Sequence, residues 1–238
     1  MITLFKKMRL ENLKKKAVLN YLLYALGEIV LVVIGILIAI GIDDANEEKR
    51  QATRLNNVFI TVQQDIEDDL REIDQVLNFY EEREDTYRQM AQGQMTKADF
   101  ETCDNCEYLI SAHESFSREK RGYDLLKTFN SEFQEDTLVN TAVQLLNSYY
   151  DNLDEVDKLI TESLTEDLKA WRNQYDWFSE FIMGNGSEAF TSFVVESKEF
   201  RNQITWRYLL IYKNFVPVLQ RYKGSLQQLN KQLDKRIG

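Results

Sequence analysis

Residues 22–42 read LLYALGEIVLVVIGILIAIGI, with one charge, Glu28, in the whole stretch. These 21 residues, at about 1.5 Å each, make a helix of roughly 30 Å, the thickness of a bilayer's hydrocarbon core. The stretch predicts a single transmembrane helix. It divides the chain into a basic arm (1–21), a span (22–42) and a polar, periodic domain (43–238).

The flanks set the expected orientation. Lys6, Lys7, Arg9, Lys14, Lys15 and Lys16 stand against Glu11 before the span, whereas Asp43, Asp44, Glu47 and Glu48 follow it. Lys and Arg beside a span favour the cytoplasmic side, so the arm is expected in the cytoplasm and the large domain outside. Residues 43–238 carry 23 Lys and Arg against 37 Asp and Glu, a net charge of −14. So acidic a domain repels nucleic acid and anionic lipid, which need a clustered basic face. The arm is the one basic cluster, an orientation signal that also meets anionic inner-leaflet lipid.

A cleaved signal peptide is the competing reading, since Ala39-Ile40-Gly41 has small residues where a signal peptidase cuts. The apolar stretch is longer than the roughly 7–15 residues of a signal-peptide core, which favours an uncleaved anchor. Within the span, Gly35 and Ala39 form a small-xxx-small pair that lets helices approach closely in lipid. Glu28 lies about a turn and a half inside the cytoplasmic end, where a carboxylate must snorkel, be protonated or find a partner. Glu28, Gly35 and Ala39 are therefore the expected membrane-helix contacts; one carboxylate makes no ion pathway.

Tyr24-Ala25-Leu26-Gly27-Glu28-Ile29-Val30-Leu31-Val32-Val33-Ile34-Gly35-Ile36-Leu37-Ile38-Ala39, then Ile42-Asp43-Asp44-Ala45-Asn46-Glu47-Glu48-Lys49-Arg50, resembles a Bacteroidota family of small single-pass membrane proteins of unknown function. Its pattern is a basic arm, a YAxGEIVLVVIGILIA span and an Asn- and Glu-rich exit. A looser resemblance lies at Tyr123-Asp124-Leu125-Leu126-Lys127 with Tyr149-Tyr150 downstream. The family continues after the Lys with a short Ser/Gly turn, where this chain has Thr128-Phe129-Asn130-Ser131. The resemblance implies a Gram-negative inner membrane, a periplasmic domain and a protein contact for Glu28. It implies no activity.

The external domain reads as helical. Pro217 is the chain's single proline and there are nine glycines, too few for the turns a strand-rich fold needs about every 8–12 residues. Apolar residues recur at spacings of three and four in three long stretches, beginning Leu55-Phe59-Val62-Ile66, Leu138-Ala142-Leu145-Tyr149 and Phe200-Ile204-Tyr208-Ile211. The expected fold is all-α: the transmembrane helix continues into an elongated antiparallel bundle of three long helices (45–92, 136–183, 199–237) with shorter helices at 99–112 and 121–129. The segment 93–135 reads as too short a link to recross the bundle except as an ordered element. Directions then alternate away, back, away, and Gly238 is expected far from the membrane; a 93–135 segment that returns toward the membrane would flip the order and bring Gly238 near it. Pro217 should remove one helical hydrogen bond and kink the third helix. Gly184-Asn185-Gly186-Ser187 marks a turn. Aromatic residues at helical spacing belong in the core; Trp177 and Tyr212 fall off it and are the interface candidates.

Little catalytic chemistry is visible. Cys103-Asp104-Asn105-Cys106 holds the only cysteines, read first as a short-loop disulfide in an oxidising compartment. A redox-active pair is the second reading, and a zinc site from Cys103, Cys106, His113 and Glu107 the third. His113 is the only histidine, which excludes multi-histidine metal sites, and no P-loop, G-x-G-x-x-G or H-E-x-x-H motif is present. The cluster Asp65, Glu67, Asp68, Asp69, Glu72 lacks a calcium loop and reads as a solvated face. The function expected is a non-enzymatic membrane-anchored scaffold that needs no cofactor and contacts itself or other proteins. Its rivals are a ligand-binding sensory module and a thiol–disulfide redox protein. A ligand module needs a cavity with convergent polar groups; a scaffold needs a filled core and an exposed apolar patch.

Overall fold

The computed structural model describes residues 2–104, 106–129 and 136–237, with side chains from residue 23 onward. The fold is all-α, without a strand among the described residues. Its elements are α1 (Ile2–Gln92), α2 (Lys97–Glu101), α3 (Cys106–Ser111), α4 (Arg121–Phe129), α5 (Thr137–Gln174), α6 (Phe178–Ile182), α7 (Glu188–Glu196), α8 (Lys198–Tyr208), a π-helical turn (Leu209–Phe215) and α9 (Val216–Ile237). The chain forms two compact units, Met1–Leu55 and Asn56–Gly238. Asn130, Ser131, Gly238 and the side chains of the basic arm lie outside the described residues.

In the first unit the apolar side chains of residues 23–42 are uncovered around the whole helix. A helix apolar on every side belongs inside a protein or a membrane. One helix near the N-terminus is long and apolar enough to cross a membrane, consistent with membrane anchoring.

In the second unit α1 supplies Phe59, Val62, Ile66, Ile73 and Tyr80 to the core and stops at Gln92. The stop is a glycine C-cap. Gly93 takes φ 66°, its N–H donates to the Met90 carbonyl and the Gln94 N–H donates to the Gln89 carbonyl. Thr96 and Asp99 then open α2 with a reciprocal capping box.

The segment after α3 returns along α1. Tyr87 Oη donates to the Leu109 carbonyl (2.8 Å), the Ser117 N–H to Glu72 (2.8 Å), the Glu119 N–H to Asp69 (2.9 Å) and the Gly122 N–H to Asp65 (2.6 Å). One number rises as the other falls, so residues 112–120 form a strap antiparallel to α1. Nine extended residues cover about 30 Å, the reach that reading 93–135 as a mere link overlooked. α5 therefore runs in the same direction as α1, and α8 to α9 come back against both. Thr205 donates to the Ala91 carbonyl (3.3 Å) near one end, Gln63 reaches Asp234 near the other, and Arg236 meets Asp136 at 3.3 Å. The expected direction of the last helix is thus overturned. α9 ends beside the start of α1 within this unit, not at the opposite end.

The second long helix also ends earlier than its periodicity suggested. At Tyr175 the backbone turns extended (φ −125°, ψ 128°), and α6 and α7 fold back over the end of the bundle. Phe178 and Ile182 continued the helical spacing but belong to this cap. The third helix is continuous through Pro217, preceded by a π-helical turn in which the Val216 N–H donates to the Ile211 carbonyl. The wider turn makes room for a proline ring that has no N–H to offer.

Candidate functional site

Two polar centres lie within the second unit, and both fasten the strap. The first is the carboxylate pair Asp65 and Asp69, one turn apart on α1 and both buried. Sequence reading placed them on a solvated face. Instead they accept the backbone N–H groups of Gly122 and Glu119, so α4 starts on α1. Tyr222 of α9 donates to Asp69 at 3.2 Å. Burial pushes Asp69 up to about 7, against the lowering effect of the Glu119 N–H and Tyr222 hydroxyl. Gly122 fits where no larger residue does: a Cβ there would stand 2.6 Å from the Val62 Cα.

The second centre surrounds His113. Its Nδ1 lies 2.7 Å from Tyr80 Oη on α1, and its Nε2 lies 2.7 Å from an Asp157 oxygen on α5. Tyr80 Oη also accepts the Glu114 N–H at 2.9 Å. Tyr80 Oη also donates to the Glu114 carbonyl at 2.9 Å, and the strap, α1 and α5 are tied through the His113 ring. Phe215 of the π turn packs edge-on to both, 5.9 Å from the Tyr80 ring and 5.4 Å from His113. Burial, with the neighbouring Tyr87, pushes the Tyr80 phenol far above its ordinary 10.0, so it stays a proton donor. Both imidazole nitrogens are engaged inside the protein, which leaves neither facing a substrate as a general base.

Beside this ring, a cleft of about 360 Å³ opens between the strap and α5. Ser115, Ser117, Arg118 and Lys120 line one side, and Asp154 and Asp157 the other. Arg118 pairs with Asp154, and that guanidinium holds the Asp154 carboxyl below its usual range.

The remaining residues singled out in the sequence are placed as follows. Cys103 and Cys106 form a disulfide with S–S 2.03 Å, and Cys106 is buried. His113 is held by Tyr80 and Asp157 and is not gathered with the cysteines. Trp177 and Tyr212 are not outward-facing: each is 7% exposed. Trp177 sits in the end cap, 4.9 Å from Phe190 and 5.1 Å from Phe193, because α6 folds back and turns it inward. Tyr212 donates to the Tyr80 carbonyl at 3.0 Å, its position rotated inward by the π turn. The outward apolar residues at that cap are Ile182 (56% exposed) and Met183 (75%), just before the Gly184 turn with φ 68°. In the first unit, Glu28, Gly35 and Ala39 are spaced to share one helix face, and a Cβ on Gly35 would meet nothing within 4 Å.

These features fit a membrane-anchored, all-α protein. A family model described as a family of unknown function (DUF6090) matches residues 28–119, from Glu28 in the span through α1 and the disulfide to the strap. The chain is similar to that uncharacterised family over this stretch, under half of its length. No curated protein and no solved structure matches the chain.

Proposed function

We propose that the protein is a non-enzymatic scaffold, anchored in the inner membrane of a Gram-negative bacterium with its arm in the cytoplasm and its bundle in the periplasm. The observation that carries this reading is the end cap. Ile182 and Met183 project at 56% and 75% exposure from a mount of interlocked rings, Trp171, Trp177, Phe181, Phe190 and Phe193. Two adjacent exposed apolar side chains on a rigid base offer a partner protein a contact to cover. The imidazole of His113, engaged at both nitrogens within the protein, supports a role that does not use it as a general base.

Within the bilayer, Glu28, Gly35 and Ala39 form the self-association face. A mid-helix glycine is unfavourable by about 1 kcal/mol relative to alanine, and among the described residues nothing lies within 4 Å of where a Gly35 Cβ would stand. Close approach of a second helix supplies the reason for it.

The test is the mass of detergent-solubilised full-length protein, with crosslinking in native membranes. A defined oligomer or complex is expected, weakened by Ile182→Glu with Met183→Glu at unchanged melting temperature. A monomer with no crosslinked product ends the scaffold reading. For orientation, trypsin added to spheroplasts should digest the domain after the span. Protection of that domain would reverse the topology.

A further inference from the structure

The cleft beside His113 has walls of opposite charge. The strap contributes Arg118 and Lys120 together with the hydroxyls of Ser115 and Ser117; α5 contributes Asp154 and Asp157. Its apolar lining comes from Phe116, Leu153 and Phe215.

The polar groups are held in place. The Arg118 side chain is 7% exposed, lies 4.7 Å over the Tyr150 ring and pairs with Asp154. Asp157 is fixed through one carboxylate oxygen, by the His113 ring. Lys120 lies 5.6 Å over the face of Tyr150, makes no close ion pair among the described residues, and acts on the Asp154 carboxylate from a distance. The cleft therefore offers on one wall an ammonium that faces Asp154 without pairing closely with it, and on the other a partly engaged carboxylate, over an apolar base.

A ligand of one charge would satisfy one wall and strip water from the opposite charge on the other, which is unfavourable. A zwitterion answers both. The volume of about 360 Å³ falls at the small end of ligand pockets, roughly 300–1,000 Å³. We propose that this cleft binds a small zwitterion bearing an ammonium and a carboxylate, a free amino acid or a dipeptide. Its ammonium meets Asp157, and its carboxylate meets Lys120 and the Ser117 hydroxyl. The assignment goes beyond the scaffold role and stands without it.

The experiment is isothermal titration of detergent-solubilised full-length protein with L-alanine, L-alanyl-L-alanine, and the dipeptide capped either as its N-acetyl or its C-amide form. One of the two zwitterions should bind, and which one binds separates a free amino acid from a peptide as the source. Each cap should weaken binding by about tenfold or more. Lys120→Gln, at an exposed position where the fold is not at stake, should weaken the zwitterion about tenfold and leave the C-amide unaffected. The proposal is overturned if neither zwitterion binds up to about 10 mM, if the capped forms bind equally well, or if Lys120→Gln binds like the parent.

Discussion

Asp69 and Tyr222 lie 153 residues apart in the chain and share a buried hydrogen bond of 3.2 Å. Asp69 takes the strap's Glu119 N–H on its other oxygen, so the first helix, the strap and the last helix meet at one carboxylate.

Asp69 gives the second unit a pH dependence of known sign. Its carboxyl is raised from 3.8 to about 7, chiefly by burial. A raised value means the fold holds the proton more tightly than the unfolded chain does. The contribution is complete below about 3.8 and is lost as pH rises through about 7. Asp69→Asn cannot titrate, so its stability relative to the parent should improve steadily between those limits. Denaturant unfolding across that range measures it, and a difference that does not change with pH would refute the assignment.

Gly122→Ala should lower the unfolding free energy by about 1–3 kcal/mol, an overpacking penalty, because the new methyl lands on the Val62 backbone. The strap should also loosen, so limited proteolysis should cut near residue 120 sooner. A variant as stable and as resistant as the parent would show that α4 does not need this close seat.

Tyr80→Phe keeps the ring but strands the Glu114 N–H and the His113 Nδ1. Unmet buried polar groups each cost about 1–3 kcal/mol, so the melting temperature should fall clearly while helicity at low temperature is retained. Unchanged melting would mean that water replaces the hydroxyl.

Replacing both cysteines, Cys103→Ser with Cys106→Ser, opens a loop whose ends are 3 apart in sequence. Loops this short gain little from a crosslink, about 2 kcal/mol by chain-entropy arithmetic. Loss of that order, with the mass of the detergent-solubilised protein unchanged, marks the bond as structural. Loss of function at full stability would point to thiol exchange instead.

Gly35→Leu and Glu28→Gln should each shift detergent-solubilised protein toward lower mass without changing helix content. The first blocks close approach, and the second removes the charge a partner helix would have to match. No change in mass for either variant leaves the span as an anchor alone.

The all-α class was legible because glycine and proline are scarce and the apolar spacing is long and regular. The end of α1 near Gln92 was legible as well. The chain's direction through the bundle was not, because the strap 112–120 is extended and has no periodicity to detect. Asp65 and Asp69 look like two more members of an acidic run; what distinguishes them is the backbone N–H groups of residues 50 and 57 positions away. Trp177 and Tyr212 were misplaced for a related reason. A chain reversal at Tyr175 and a π turn at Leu209–Phe215 each change which side of a helix faces inward, and neither has a spacing signature. His113 reads in the sequence as a lone histidine or as a third zinc ligand beside Cys103 and Cys106, and the structure holds it elsewhere. Its partners, Tyr80 and Asp157, are 33 and 44 positions away.

The return of α9 to the start of α1 has a mechanical consequence. Tension between residue 56 and the tip at Met183 runs along the helices and loads their contacts in shear, so they should fail together at high force. Tension between residue 56 and Ile237, which leave the domain at the same end, should unzip α9 one turn at a time at lower force. A partner that pulls on the tip therefore meets the stiff direction of the molecule, and optical-trap rupture forces for the two attachment pairs would show the difference directly.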